Sequence, residues 1–329
     1  MIPVNLQSGL SSLPREHKAR PLDPQETYDV LIIGGGPAAL TAAVYCMRKG
    51  VTTGLITRDI GGQVVETTGI ENYMGYTHIE GSELVDKFKN QVQQFEIAFG
   101  EGLVVTRIAP GDQQHTVHTD DGQSFQGRAL IIATGKSPRK LNLPGERKYT
   151  GRGVAYCASC DAPFFRKRDV LVVGGGNSGI EAALDLVKVA RQVTVVEYLD
   201  HLNADQILLD KLREYPNVDL QLAHEVKEIH GNGHLSGVVV LDRQTGQEKE
   251  LRIDGLFVEI GLTPNSDLVE NVLELNRYGE IVIDCSCHTS VPGIFAAGDV
   301  TTVAYKQIVI ATGEGAKAGL AACDYLLKG

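Results

Sequence analysis

No stretch of this 329-residue chain is apolar for the ~20 residues that a membrane span needs. Cysteine is scarce. Six in a chain of this length are too few to build a fold on disulfides. Positive charge is outnumbered, 31 Lys and Arg against 41 Asp and Glu, and the net charge of −10 argues against a nucleic-acid binder that relies on bulk electrostatics. The first 27 residues are polar and interrupted by prolines. They lack the apolar core, about 7–15 residues long, of a secretory signal. They read as a flexible or surface-hugging extension without a function of its own, and the cytoplasm is the default location. What remains is ordinary for a soluble globular protein, and its length suits about two domains.

Against this plain background one pattern occurs twice. VLIIGGGPAALTAAVYCMRKGVTTGLI, from residue 30, matches VLVVGGGNSGIEAALDLVKVARQVTVV, from residue 170, at a constant offset of 140. Each copy runs from a β-branched segment through three glycines into a helical period and then a second apolar run. That is a βαβ unit with a glycine-rich turn. Gly34 and Gly174 permit the sharp turn out of the strand. Gly36 and Gly176 let a diphosphate approach the backbone, and Ala39 and Gly179 keep the helix close to the sheet. The helix N-terminus then aims its free N–H groups at the phosphates. Two copies predict two dinucleotides, and in an electron-transfer protein the natural pair is FAD with a nicotinamide cofactor.

The end of the second strand separates the copies. In the second copy it carries Glu197, which suits a ribose 2′-hydroxyl and repels a 2′-phosphate. No Arg or Lys follows until Lys211. The expectation is NADH rather than NADPH at this turn. The first copy has Thr57 at the same offset. Three other stretches favour flavin there: GGQ at 61–63, read as a flexible loop; IIATG at 131–135, a buried strand ending in a turn; and TSVPGIFAAGD at 289–299, a strand followed by an exposed Gly298–Asp299 pair. A final helix, starting near Lys306, would direct its N-terminal dipole at the flavin.

Between the glycine turns lies YCASCDAPFF, with Cys157 and Cys160 two residues apart and Asp161 behind them. Zinc would need about four ligands. The one other cluster, Cys285, Cys287 and His288, falls in what reads as a β segment across the expected domain break. No metal site is expected. A structural staple this short constrains the unfolded chain little. A redox dithiol is the reading that fits: close spacing favours ring closure, and a thiolate near a helix N-terminus is activated. Asp161 reads either as a proton shuttle or as a helix N-cap. Cys46, Cys285, Cys287 and Cys323 read as small core residues.

The order GGGPAA, GGQ, IENY, ATG, CASCD, GGGNSG, GLTPN, FAAGD, YKQIVIATGEGAKAG resembles the low-molecular-weight thioredoxin reductases over roughly residues 28–329. In its second half the chain is most similar to the flavoprotein subunit of alkyl hydroperoxide reductase. The resemblance implies an α/β fold of two Rossmann-like FAD/NAD(P)-binding domains, the nicotinamide domain inserted into the FAD domain. Residues 1–27 would be an extension, 28–138 and 267–329 the two parts of the FAD domain, and 139–266 the NAD(H) domain with the redox motif. KSPRKLNLPGERKYTGRG and GLTPNSD would be the hinges. FAD contacts are implied for Gly34, Gly36, Pro37, Ala38, Gly61, Gly62, Gln63, Asn72, Thr134, Gly135, Gly298, Asp299, Gln307 and Ile308. Nicotinamide-nucleotide contacts are implied for Gly174, Gly176, Asn177, Ser178, Glu197, Tyr198 and Gly261. The resemblance tips Asp161 toward the acid–base role and implies a homodimer whose nicotinamide domain rotates between two states.

NADPH-dependent thioredoxin reductases carry a His-Arg-Arg…Arg string where this chain has Glu197-Tyr198-Leu199…Asn203, a departure that agrees with NADH. The hydroperoxide reductase flavoprotein carries an N-terminal thioredoxin-like module for which the 27 leading residues are too few, so the expected acceptor is a separate thioredoxin- or glutaredoxin-like protein, with a peroxiredoxin downstream. Two rivals stand beside this reading: an NADPH- or ferredoxin-dependent reductase, and a flavin redox sensor whose dithiol alters partner binding.

Overall fold

The structure, a computed structural model, describes residues 19–67 and 69–328. Short β1 (Arg20–Pro21) leads into β2 (Thr27–Ile33), α1 (Pro37–Lys49), β3 (Thr53–Thr57), α2 (Gly81–Gln93), β4 (Ala98–Glu101), β5 (Val105–Ala109), β6 (His115–Thr119) and β7 (Ser124–Ile132). Then come β8 (Lys136–Pro138), α3 (Glu146–Tyr149), β9 (Val154–Ala155), α4 (Ala158–Asp161), β10 (Asp169–Val173), α5 (Asn177–Leu186), β11 (Gln192–Glu197), α6 (Gln206–Arg213) and β12 (Val218–Leu222). The chain closes with β13 (His224–Asn232), β14 (His234–Asp242), β15 (Glu248–Arg252), β16 (Gly255–Val258), β17 (Leu262–Pro264), β18 (Ile294–Ala296) and α7 (Ile308–Lys328).

The strands form two large sheets. In the first, β1, β4, β3, β2, β7 and β18 run parallel in that spatial order, with β6 and β5 antiparallel beyond the other end of β7. In the second, β12, β11, β10, β16 and β9 are all parallel. β13–β14–β15 make a separate antiparallel sheet. In both large sheets the strand before the glycine turn is central and buried on both faces, which is why β2 and β10 read as unbroken β-branched runs. This is a mixed α/β fold with Rossmann-like sheets. The first sheet draws its strands from residues 20–132 and 294–296, and the second from 154–258.

Local signals set the helix ends. α1 starts on Pro37, where a missing N–H costs nothing, and stops at Gly50, whose φ of 80° is the left-handed cap. α7 lies against α1 through small residues. Gly315 is so close that a Cβ there would stand 2.1 Å from the Ala38 carbonyl oxygen, and Ala318 and Ala322 are fully buried in the same core. This close packing brings the first turn of α7 to the start of α1.

Several expectations change. GGQ is ordered rather than flexible: Gly61 (φ 100°) opens a 3-10 turn over Gly62–Glu66. The two hinge stretches are not simple loops, because β8 and β17 pair antiparallel, Lys136 with Pro264, Ser137 with Thr263 and Pro138 with Leu262. Gly298 is buried and Asp299 half-buried, not exposed, because the turn after β18 tucks beneath Ala38. The DCSCH stretch is a turn around Cys285–Ser286, with Cys287 left-handed at φ 68° and one bridge from His288 to Phe295. Cys46, Cys287 and Cys323 are buried, but Cys285 is exposed at that turn. α7 begins at Ile308, two residues after the expected start. Part of the N-terminal stretch adds β1 to the sheet edge, and residues 1–18 lie outside the described residues. No helix among the described residues is long and apolar enough to cross a membrane.

Candidate active site

The first glycine turn opens into a cavity of about 880 Å³, near the upper end of the range for small-molecule sites (about 300–1,000 Å³). Gly34 has φ 127°, and a Cβ there would strike the Ala133 carbonyl oxygen at 2.2 Å, so the strand end demands glycine. Gly36 is different. Its backbone is extended, and a Cβ would meet nothing within 4 Å. It faces the open cavity at the N-terminus of α1, the cradle a diphosphate needs. Pro37, Ala38, Gly61, Gly62, Gln63, Thr134, Gly135, Gly298, Asp299, Gln307 and Ile308 line the same cavity. Asn72 does not line it; its Nδ2 donates to Gln307 Oε1 at 3.1 Å and so holds that amide.

Two lysines that were not among the expected flavin contacts also line the cavity. Lys136 and Lys306 share one carboxylate, with Nζ atoms 2.6 and 3.3 Å from Glu280 Oε1. Lys306 also donates to the Thr301 carbonyl at 2.6 Å. Burial raises the Asp299 carboxyl above its ordinary range, and the two lysines offset part of that rise. Burial, then repulsion from Lys136, lowers Lys306.

Cys157 and Cys160, which also line the cavity, form a disulfide with Cα atoms 5.4 Å apart. Cys157 is the extended residue ahead of α4, and Cys160 lies within that single turn. Asp161 lines the cavity beside them. It is only 7% exposed, its Oδ1 has no hydrogen-bond partner, and its side chain caps no helix. Burial pushes its pKa up to about 7. The redox turn is docked onto the other half of the site: Gln307 Nε2 donates to Ser159 Oγ at 3.4 Å, and Phe164 packs edge-on against His78 at 5.9 Å.

The second glycine turn repeats the first. Gly174 has φ 125°, and Gly176 is extended with open space where a Cβ would be. None of the seven residues expected at the nicotinamide nucleotide lines the large cavity. Asn177 is paired both ways with Asp205, donating at 2.9 Å and accepting from the backbone at 2.7 Å. Ser178 Oγ donates to Glu259 at 2.8 Å. Glu197 accepts from Gly175 N at 2.5 Å and Leu199 N at 2.9 Å, which leaves lone pairs on both oxygens. Tyr198 is 52% exposed. Gly261, at φ 102°, takes the amide of Arg139 on its carbonyl.

The sequence reading missed Arg243 here. Its guanidinium lies 3.5 Å from the Tyr198 ring centroid and donates to the Tyr198 carbonyl at 2.7 Å. Searching for cations along residues 198–211 could not find a residue delivered by the β14–β15 turn. Glu259 was also missed, although an acid interrupting the apolar run FVEIG at a central strand's carboxyl end is a visible signal.

The family described as pyridine nucleotide-disulphide oxidoreductase matches residues 28–315, which include both glycine turns and the disulfide. The chain belongs to that family. The F subunit of alkyl hydroperoxide reductase from Staphylococcus aureus (strain MSSA476) is 44% identical over 325 residues, 99% of this chain and 64% of the relative. Its counterpart from Escherichia coli (strain K12) is 44% identical over 314 residues, 94% of this chain and 60% of the relative. The chain thus spans less than two thirds of the length of these curated relatives. Among solved structures of this oxidoreductase type, the thioredoxin reductase of Streptococcus pyogenes MGAS5005 superposes with a TM-score of 0.87 at 41% identity, covering 92% of this chain and 99% of that one. The Lactococcus lactis thioredoxin reductase, in what is described as its FR conformation, covers the same shares at 37% identity but superposes at only 0.65.

Proposed function

We propose that this pyridine nucleotide-disulphide oxidoreductase passes electrons from NADH through FAD to the Cys157–Cys160 disulfide, and from that dithiol to the disulfide of a thioredoxin- or glutaredoxin-like protein, with a peroxiredoxin downstream. One observation carries the reading. The disulfide, the buried Asp161 and the first glycine turn share one cavity. FAD would be held by the residues from Gly34 to Ala38, Gly61 to Gln63, Thr134, Gly135, Gly298, Asp299, Gln307 and Ile308, with Asn72 steadying Gln307. When bound, the flavin supplies a two-electron relay between nicotinamide and disulfide.

The chain's own residues do the rest. Opening the disulfide takes two electrons and two protons. Asp161, buried on the same cavity with a pKa of about 7, gives a proton to the sulfur that leaves when the disulfide opens and takes one from the thiol that must attack as a thiolate. One thiolate then attacks the acceptor disulfide, a mixed disulfide forms, and the second cysteine displaces it. The acceptor leaves with two electrons and two protons, and Cys157–Cys160 is closed again.

Glu197 supports NADH: its carboxylate stands at the end of β11 with lone pairs free for ribose hydroxyls. Arg243, which the fold brings to this turn, is committed to the Tyr198 ring and carbonyl. The second turn, with Gly174, Gly176, Asn177, Ser178, Glu197, Tyr198 and Gly261, would hold this nucleotide, yet it lies outside the cavity. Hydride transfer therefore needs another arrangement. We assign residues 28–138 and 267–329 to an FAD domain and 139–266 to an NAD(H) domain that turns against it. The drop in TM-score from 0.87 to 0.65 at equal coverage is what a rigid-body rearrangement between two such relatives would give. A homodimer completes the proposal.

Anaerobic titration of the flavin-loaded protein tests it. NADH should deliver about two hydride equivalents per chain, one to the flavin and one to the dithiol, and NADPH should react far more slowly. Uptake of about one equivalent would disconnect the dithiol and overturn the mechanism; equal rates with NADPH would overturn the cofactor choice alone.

A further inference from the structure

The carboxyl of Glu259 joins two parts of the molecule that are distant in sequence. It follows directly on β16. Its Oε2 accepts from Ser178 Oγ at 2.8 Å, and its Oε1 accepts from Ala158 N at 3.3 Å. Ser178 is the second residue of α5, just past Gly176. Ala158 opens the redox turn between the two cysteines. A single side chain therefore holds both the second glycine turn and the redox helix. Burial raises its pKa to about 7, Ser178 and Ala158 work against that rise, and Glu181 on α5 adds to it. The titratable side chain of α4 is Asp161. Residues 174–176 and 255–258 carry no ionisable side chain, and Arg139 lies against Gly261 two residues on.

We propose that Glu259 is a positioning residue that couples occupancy of the second glycine turn to the redox helix, exchanging its Ser178 bond for a proton when the diphosphate of a pyridine nucleotide binds. This rests on the nucleotide reading of that turn given above. A diphosphate at Gly176–Ser178 takes the Ser178 hydroxyl and the N–H groups at the start of the ten-residue α5. Glu259 then loses a donor and gains an anionic neighbour. Both changes favour its neutral form. The balance is one proton taken from solvent per nucleotide bound, with no electrons moved. A neutral carboxyl holds Ala158 N less strongly than a carboxylate does, so the redox helix is loosened at the moment the nucleotide arrives.

The test is calorimetric binding of NAD+ to the oxidised, flavin-loaded protein, in which no electron transfer can occur, in buffers of different ionisation heat. The expected result is uptake approaching one proton per NAD+ near pH 8 and falling toward none near pH 6, with affinity weakening by up to about tenfold per unit as pH rises from 6 to 8. Glu259→Gln should bind NAD+ with no uptake and a flat pH profile. Hydrogen exchange of the peptide spanning residues 156–165 should quicken with NAD+ in the native protein, a readout that does not depend on the variant folding. Binding without proton uptake, or the same uptake in Glu259→Gln, overturns the inference and leaves the nucleotide site standing. No NAD+ binding at all overturns the nucleotide reading of the second turn, and the inference with it.

Discussion

The two glycine turns share a backbone but not a task. Gly34 and Gly174 have φ values of 127° and 125°, and Gly36 and Gly176 are extended to within a few degrees of each other. What differs is the company each turn keeps. The N-terminal turn opens into a cavity that a disulfide also lines, and its second strand ends on Thr57, whose hydroxyl donates to the Asp59 carbonyl at 2.6 Å. The turn at 174–176 lies outside that cavity, its neighbouring strand ends on Glu197, and its helix start is tied to the redox turn by Glu259. A glycine-rich turn thus supplies a place for phosphates. In the proposed reading, the residues at the neighbouring strand ends decide which nucleotide is held and what it reacts with.

Matched substitutions should break this comparison most sharply. A Cβ at Gly36 or Gly176 meets no atom, so valine at either position should fold while filling the cradle. Gly36→Val is expected to purify with little or no flavin, judged by visible absorbance. Gly176→Val should stay yellow and lose NADH binding, with reduction of its flavin falling to background. Flavin loss from both variants would erase the difference between the turns.

Asp161 gives the next largest effect. Asp161→Asn keeps the shape but cannot release a proton, and turnover with a protein disulfide should fall about a hundredfold, followed by steady-state kinetics. Its stability should move the other way. The folded pKa of about 7 lies above the ordinary 3.8, so the native carboxyl is comfortable below pH 4 and becomes a growing liability as pH rises to 7. The variant should therefore match the native protein at pH 4 and exceed it by a few kcal/mol at pH 8, read as a rise in Tm. Equal Tm values at pH 8 would remove the case for a buried, perturbed acid.

The smallest effect concerns packing. Gly315→Ala forces a methyl against the Ala38 carbonyl and should cost about 1–3 kcal/mol in denaturant unfolding. Because α7 brings Gln307 and Ile308 to the first cavity, flavin affinity should weaken as well, while NAD+ affinity at the second turn should not.

Much of this was legible in the sequence, and the reason is locality. Glycine turns, strand periods and a C-x-x-C are written within a few residues, so both βαβ units and the redox motif could be read directly. The residues assigned to FAD came with the family resemblance, and all of them except Asn72 line one cavity. What stayed hidden is held together across long separations. Glu259 reaches Ser178 and Ala158, 81 and 101 residues away. Arg243 comes back to Tyr198 across 45 residues. Lys136 meets Glu280 across 144. No local period marks such partners. The burial of Gly298 was hidden for the same reason, since Ala38 lies against the turn from a helix far away in sequence.

The pairing of β8 with β17 has a mechanical consequence. The chain passes twice between the two large sheets, and at that passage the strands are bonded to each other over three residue pairs. Two separate tethers would let one body wander relative to the other. Two tethers zipped side by side behave as a flat strap, stiff to bending in its own plane and compliant to torsion. The turn of one half against the other that is proposed above would then be steered along a single path, and the halves would return in register.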